Sequence, residues 1–420
     1  MTAPTPDDVP SGGIAPGDVP PGDVSPRGRG ANAISSAASR THPIVIAGGG
    51  TAGHILPGLS IAEALIAAGV ERDAVLWIGS ARGQETSLVP PSGIELVALK
   101  GRGIQRSLKP RAIADNIAAI LGLGSAFMRA FRLIGRRRPA AVLMLGGYAS
   151  AAAAAAAVFW RVPIVIAEQN AVGGAANRVF GRFARAAAVP FDGSDLPRAI
   201  VTGNPVRDVI LQRRVAAVTQ RSAAQRSARS ELGIPADRVV VAAFAGSLGS
   251  RRINEAIADL ANRWSDRRDV AIYHVIGRRD WATFERPNVA ADGLWYRDVE
   301  YENRMDVVLA AADVAVCRSG GTTVAELAVI GVPSLLVPLP IAPGDHQRHN
   351  AAALVNANAA HLVDDDSCTG EHLDELLGPI VAEPAVRTAM ADAAWGVGRP
   401  DAASAVAALV LQQLAASKGA

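Results

Sequence analysis

Little in this chain assigns it quickly. It holds 2 cysteines in 420 residues, Cys317 and Cys368, which makes no disulfide framework and suits a reducing cytosol. The formal net charge is only +3, too little to argue for a nucleic-acid partner. A pI near 9.1 leaves a membrane surface or an anionic substrate open. No apolar stretch reaches the roughly 18 to 20 uninterrupted residues of a spanning helix; the nearest, Gly146 to Trp160, is alanine-rich and too short. Residues 1–40 repeat Pro-Gly-Asp-Val, lack the apolar core of a signal peptide and read as a disordered leader. The remainder is ordinary globular material. Half the residues are apolar and 19% charged, and the length suffices for two domains.

What is present begins at Ile44 to His54, IVIAGGGTAGH. An apolar β-type run empties into small residues, and helical apolar spacing follows from Ile55 to Ala68. Such a loop at a helix N-terminus offers free N–H groups and a positive dipole end to an anion. Gly48, Gly50 and Gly53 formally satisfy G-x-G-x-x-G. The dinucleotide fingerprint also wants a carboxylate at the end of the second strand. Here Val75–Ile78 runs into Gly79-Ser80-Ala81-Arg82, which weakens a nicotinamide reading.

Strand-like runs alternate with helical stretches in two series, the first from Ile44 to Thr202 and the second from Val239 to Val337. This alternation predicts α/β architecture with two doubly wound, Rossmann-like parallel sheets facing a central cleft. Gly203-Asn204-Pro205 combines turn residues with a restricting proline. The expected organisation is therefore a leader at 1–40, one domain at 41–204 and a second at 205–395. A final segment, 396–420, carries a helix near Ala402–Leu414 that can pack on either domain, including back on the first.

The second series opens with another small-residue loop, Ala245-Gly246-Ser247-Leu248-Gly249-Ser250. A third strand-to-helix junction reads Cys317-Arg318-Ser319-Gly320-Gly321-Thr322-Thr323. Thr322 or Thr323 is expected to cap the following helix, leaving amides for a diphosphate. Glu326 is expected in its first turn, either as a dipole-stabilising carboxylate or as an acceptor for a ribose or sugar hydroxyl.

Taken together these blocks resemble the MurG family, the N-acetylglucosaminyltransferases that make the peptidoglycan precursor lipid II. The likeness runs from about Pro43 to the end through GGGTAGHILPGL at 48–59, ETSLVP at 85–90, GGYAS at 146–150, EQNAVGGAANR at 168–178, GNPVR at 203–207, AGSLGSRRIN at 245–254, CRSGGTTVAEL at 317–327 and DHQRHNA at 345–351. The resemblance implies a GT-B fold and inverting transfer of N-acetylglucosamine from UDP-N-acetylglucosamine to undecaprenyl-linked lipid I, without a cofactor. By position it implies donor contacts at Thr51, Ala52, Gly53, Asn170, Arg207, Ser247, Gly321, Thr322, Thr323, Glu326 and Gln347. Gly147, Tyr148 and Glu168 fall on the acceptor side, with Gly146–Ser150 expected as a loop near the acceptor diphosphate.

His54 is the expected general base, since imidazole titrates in the useful range and a helix N-terminus disfavours its cation. The alternative is a histidine that only closes the loop by a hydrogen bond. Arg207 offers a planar, permanently charged fork to phosphate, or is a hinge-surface arginine. Asn170 is a contact or a turn residue. Glu326 is placed with His54 as catalytic. Leaving-group charge would be met by helix N-termini and Arg207 rather than by a metal, because no Asp-x-Asp stands where a metal-bridged diphosphate needs it. Three positions depart from the family pattern: Ala167, Leu248 and Glu302, the last where an apolar residue usually covers uracil.

A lipid-linked acceptor demands contact with a bilayer. Lys100, Arg102, Arg106, Lys109 and Arg111 cluster around Leu99, Ile104 and Leu108. Arg129, Arg132 and Arg136–Arg138 interleave with Phe127, Phe131, Leu133 and Ile134. Such pairing suits peripheral attachment to the anionic cytoplasmic face of the cell membrane. An amphipathic core helix with a basic edge would look the same. The competing functions are another UDP-sugar GT-B enzyme, a UDP-N-acetylglucosamine 2-epimerase, and a non-catalytic nucleotide-sugar sensor.

Overall fold

The computed structural model describes residues 38–100, 110–246 and 249–416. Two all-parallel sheets organise it, one of seven strands in the order β3-β2-β1-β4-β5-β6-β7 and one of six in the order β10-β9-β8-β11-β12-β13. The first comprises β1 (Ile44–Gly48), β2 (Val75–Ser80), β3 (Glu95–Leu99), β4 (Ala141–Gly146), β5 (Ile164–Ala167), β6 (Ala186–Val189) and β7 (Ala199–Val201). The second comprises β8 (Val239–Phe244), β9 (Val270–Val275), β10 (Trp295–Val299), β11 (Val314–Cys317), β12 (Ser334–Leu336) and β13 (Ala360–Leu362).

The apolar runs are continuous rather than alternating because helices cover both faces; β1, β2, β4 and β5 are buried at every position. In each sheet the strand order reverses beside the first strand, between β1 and β4 and between β8 and β11. Ligands of open parallel sheets bind outside the carboxyl ends of strands at such a reversal. At the first reversal Gly48 pairs with Gly146 through a register shift. Gly48 has φ +139°, and a Cβ there would fall 2.7 Å from the Gly146 carbonyl oxygen. Only glycine lets the two strand ends close.

The first helix, α1 (Ala52–Ala67), follows β1 directly and buries Ile55, Ile61 and Leu65. The short α2 (Glu85–Leu88) and the long α3 (Pro110–Arg137) follow β2 and β3. The expected loop at 146–150 does not exist: β4 ends at Gly146 and α4 (Gly147–Phe159) begins at the next residue. The alanines of α4 are buried at 152–154, 156 and 157, where small side chains permit close packing on α3. A seven-residue helix, α5 (Ala175–Gly181), completes this half.

The polar stretch after the hinge forms α6 (Asp208–Leu232), broken at Gln220 (φ −152°, ψ 79°). The second half continues with α7 (Arg251–Arg263), α8 (Met305–Ala311), α9 (Gly321–Ile330), α10 (His346–Asn356), α11 (Gly370–Ala382) and α12 (Pro384–Val397). The chain then crosses back. Its last helix, α13 (Ala402–Ala416), buries Val406, Ala407, Val410 and Leu414 among Ile44, Ile55 and Leu65 of the first half. The two crossings run side by side, since a Cβ on Gly203 would meet the Arg399 Cβ at 2.4 Å.

Gly58 lies where α1 crosses the first sheet, and a Cβ there would fall 2.5 Å from both Leu145 and Trp77. The helix-propensity gain of Gly58→Ala, about 1 kcal/mol, is outweighed by this clash. Denaturant titration should show a net loss of about 1–2 kcal/mol; a stabilised variant would contradict the packing described.

Candidate functional site

Residues that follow β1 and β5 in one half meet residues that follow β11 in the other. Pro57 lies inside α1 and has no N–H, so the Gly53 carbonyl four residues earlier lacks its helical partner. The Thr322 hydroxyl, at the start of α9, donates to that carbonyl at 3.2 Å. The N-termini of α1 and α9 therefore meet across the cleft. Gly321 lies still closer to the opposite half: a Cβ there would sit 1.9 Å from the Gln169 carbonyl oxygen.

On the first wall Thr51 is the N-cap of α1 and Ala52 its first residue. His54 Nδ1 lies 3.3 Å from Thr51 Oγ1. Its Nε2 faces the start of α4, where a Cβ on Gly146 would lie 3.4 Å away. Burial pushes the imidazole below its ordinary range; the Glu168 and Glu85 carboxylates oppose that push and His346 adds to it. Between Thr51 and the α4 N-terminus, His54 can close its loop through Nδ1 while Nε2 makes no hydrogen bond among the described residues.

On the second wall two expectations are corrected. The cap of α9 is Gly320, without a side-chain capping bond, so neither Thr322 nor Thr323 caps it. Because the helix begins at Gly321, Glu326 stands in its second turn rather than its first. Glu326 is not a dipole cap: its Oε1 accepts from Arg207 Nε at 2.9 Å. Burial raises the Glu326 carboxyl above the ordinary range although the Arg207 guanidinium pulls the other way. Arg207 is thus tied to the second wall through Nε, a bond that does not use its two terminal nitrogens.

Glu168 is buried and organises the loop after β5. Its carboxylate accepts from Gln169 N, Asn170 N, Asn170 Nδ2, Gly174 N and Asn177 Nδ2. These bonds order the loop after β5 and orient Asn170. Tyr148 is likewise committed, its hydroxyl donating to the Leu99 carbonyl and lying 2.9 Å from Ser80 Oγ. Gly147 opens α4 beside His54. Asn170 accepts at Oδ1 from Asn350 Nδ2 at 3.1 Å. Asn350, fully buried on α10, also accepts from Ala171 N and donates to the Ser319 carbonyl. It joins the two halves, yet nothing in its local sequence beyond the DHQRHNA block marks it. Asn204, at the hinge, donates to the Gln169 carbonyl within the first half.

Gln347 Oε1 accepts from Leu339 N at 3.0 Å. It lines a cavity of about 690 Å³ with Gly246, Arg318, Gly320 and Thr323. Arg318 braces that cavity by donating to Ser250 Oγ and to the Val337 and Pro338 carbonyls. Ser247 and Leu248 lie outside the described residues. Glu302 does not present its charge to a base: its carboxylate accepts from the Tyr273 hydroxyl and from Arg304 N, both at 2.8 Å.

Of the basic clusters, Arg102, Ile104, Arg106, Leu108 and Lys109 lie outside the described residues. On α3 the exposed Phe127 and Met128 adjoin Phe131, which packs 4.8 Å from Phe159 and 5.2 Å from Trp160. Phe159 is 65% exposed, and Arg138 stacks 4.2 Å over Trp160. Arg129, Arg132 and Arg136 are exposed around this aromatic patch. Among the described residues no helix is long and apolar enough to cross a membrane.

Residues 44–189 match the glycosyltransferase family 28 N-terminal domain and residues 240–406 its C-terminal domain. A Xylella fastidiosa (strain M12) protein named UDP-N-acetylglucosamine–N-acetylmuramyl-(pentapeptide) pyrophosphoryl-undecaprenol N-acetylglucosamine transferase is 36% identical over 382 residues, covering 90% of this chain and 98% of that protein. A protein of the same name from Desulforudis audaxviator (strain MP104C) is 34% identical over 374 residues, covering 86% and 96%. The chain belongs to the MurG family. The crystal structure of Acinetobacter baumannii MurG superposes with TM-score 0.68 at 24% identity, covering 88% of this chain and 99% of that one. The fold is GT-B. A Neisseria meningitidis UDP-GlcNAc 2-epimerase, solved bound to UDP-GlcNAc, superposes with TM-score 0.59 at 13% identity over 89% of this chain and 100% of that one. That likeness speaks to fold alone, so architecture does not separate transferase from epimerase in this family of shapes.

Removing one partner of the Arg207–Glu326 pair leaves a charge in the wall with no counterpart. Arg207→Ala should cost about 2–3 kcal/mol in denaturant unfolding, and adding Glu326→Gln should return most of it. Strict additivity of the two substitutions would show that the pair carries no coupling.

Proposed function

We propose that the protein transfers N-acetylglucosamine from UDP-N-acetylglucosamine to undecaprenyl-linked lipid I, giving lipid II with inversion at the anomeric carbon. The observation that carries this reading is the meeting of the α1 and α9 N-termini, with His54 on one wall and Arg207–Glu326 on the other. Relatives that bear this activity in their names match nearly the whole chain.

In this reading the donor lies along α9. The terminal nitrogens of Arg207 and the amides at Gly321–Thr323 receive the diphosphate, with Ser247 contributing from the second glycine loop. Glu326, held by Arg207 through one oxygen, offers the other to ribose hydroxyls. Gln347 and Asn170 bracket the sugar, and Thr51-Ala52-Gly53 close over it. The acceptor enters from the first half past Gly147. With Nδ1–H donating to Thr51, His54 keeps a lone pair on Nε2 for the acceptor hydroxyl. That oxygen bonds to the anomeric carbon as the bond to phosphate breaks on the opposite face. The proton passes to His54, and UDP leaves with its charge met by the helix dipole and Arg207.

The aromatic and basic patch on α3 and α4 is the surface we assign to the cytoplasmic face of the membrane, where the acceptor resides. Partition onto vesicles containing anionic lipid should fall steeply between low and high salt, and Phe159→Ser should weaken it several-fold. Salt-independent binding, or none, would contradict peripheral attachment.

Incubation with labelled UDP-N-acetylglucosamine and a short-chain lipid I analogue tests the chemistry. Label on lipid is the expected result; a released free 2-epimer would favour the epimerase, and binding without turnover the sensor. His54→Ala should lower kcat by about 10²- to 10⁴-fold with donor affinity nearly intact. Because burial lowers the His54 pKa, the base stays neutral through ordinary pH and is lost only on acidification. The acid limb of kcat/KM should therefore lie below about pH 6.5; a limb above that value would rule out neutral His54 as the base.

A further inference from the structure

Glu85 occupies an expensive position. Its side chain is 0% exposed, although it opens a four-residue helix beside the cleft. Glycines surround it: a Cβ on Gly49 would fall 2.3 Å from its Oε1, on Gly83 1.9 Å from its Oε2, and on Gly79 2.8 Å from its Cγ. The first glycine loop thus rests on this carboxylate, and its smallness at Gly49 serves Glu85 rather than a ligand. Oε1 accepts from Ser80 N at 2.8 Å. Oε2 is sealed from solvent and has no hydrogen-bond partner among the described residues.

A methionine of similar length would fill the same space without desolvating a charge. What the carboxylate adds is its field, and the site has a use for it. His54 is faced by Glu168 and Glu85, which favour its cation, and by His346, which disfavours it. His346, in the second half, donates from Nδ1 to the Pro343 carbonyl three residues earlier. Glu168 spreads its charge over several donors, whereas Glu85 has one among the described residues.

We propose that Glu85 is a positioning residue for the transfer reaction: wedged beneath the first glycine loop, it sets the height of that loop and holds negative charge beside His54, stabilising the imidazolium formed as the acceptor's proton arrives. This rests on the reading of His54 as the base. No bond to Glu85 forms or breaks; the proton goes from the acceptor hydroxyl to His54 Nε2.

The test compares wild type, Glu85→Gln and Glu85→Asp by kcat/KM against pH, by calorimetry with UDP-N-acetylglucosamine, and by NMR titration of ¹⁵N-labelled histidine, with the His54 signal assigned by its absence in His54→Ala. Glu85→Gln should bind donor within about two-fold of wild type and lose about ten-fold or more in kcat/KM. Its His54 midpoint should move down by about one unit, while Glu85→Asp keeps the midpoint near wild type and recovers part of the rate. An unmoved midpoint and acid limb in Glu85→Gln would overturn the proposal. If that variant fails to fold, Gly83→Ala, which displaces Oε2, must shift the His54 midpoint, and an unshifted one is equally fatal. Full activity in His54→Ala would instead retire the base assignment, and the NMR midpoint would still decide whether Glu85 acts on His54.

Discussion

Everything at this site depends on two sheets bringing helix N-termini into direct contact. The approach is closest at Gly321, whose α-carbon leaves no room for a methyl group against the Gln169 carbonyl. It is held by polar clasps, Thr322 to Gly53 and Asn350 to Asn170 and Ala171. At Asn350 the clasp pairs a fully buried amide, so there the contact satisfies polar groups as well as joining halves. The return of α13 to the first half gives a second chain crossing. Relative motion of the halves is thereby confined to a hinge made of two adjacent strands of backbone.

Placing dipole ends face to face concentrates positive potential where a diphosphate would lie, and it also bears on the one imidazole there. Burial and the helix N-terminus both favour neutral His54, while two carboxylates favour the cation. A base needs that balance. It must be unprotonated before the reaction and tolerate a proton during it. On the opposite wall the same logic is inverted, with a buried carboxylate, Glu326, steadied by a guanidinium that retains donors for an anion.

Much of this was legible in the sequence. The alternation of strand-like and helical runs located the two series, while β13, three residues with an exposed His361 at its centre, lay beyond the second. The glycine loops marked the cleft because a ligand-facing turn and a tight strand-to-helix junction require the same small residues. What escaped depends on partners distant in sequence. Thr322 looked like a cap but bonds to Gly53, 269 residues away. Glu302 looked like a charge in the base site but folds onto Tyr273. Asn350 bonds to Asn170, 180 residues away. Glu85 stood inside a recognised block without a role, and only the space around it shows why its neighbours are glycines.

The measurement that bears most directly on the central claim is a crystal structure of the protein with UDP-N-acetylglucosamine. The diphosphate should lie at the N-terminus of α9 within hydrogen-bond reach of Arg207 Nη atoms, with ribose on Glu326 and the anomeric carbon open toward His54. A nucleotide bound outside the crevice, or one whose diphosphate meets neither α9 nor Arg207, would contradict it.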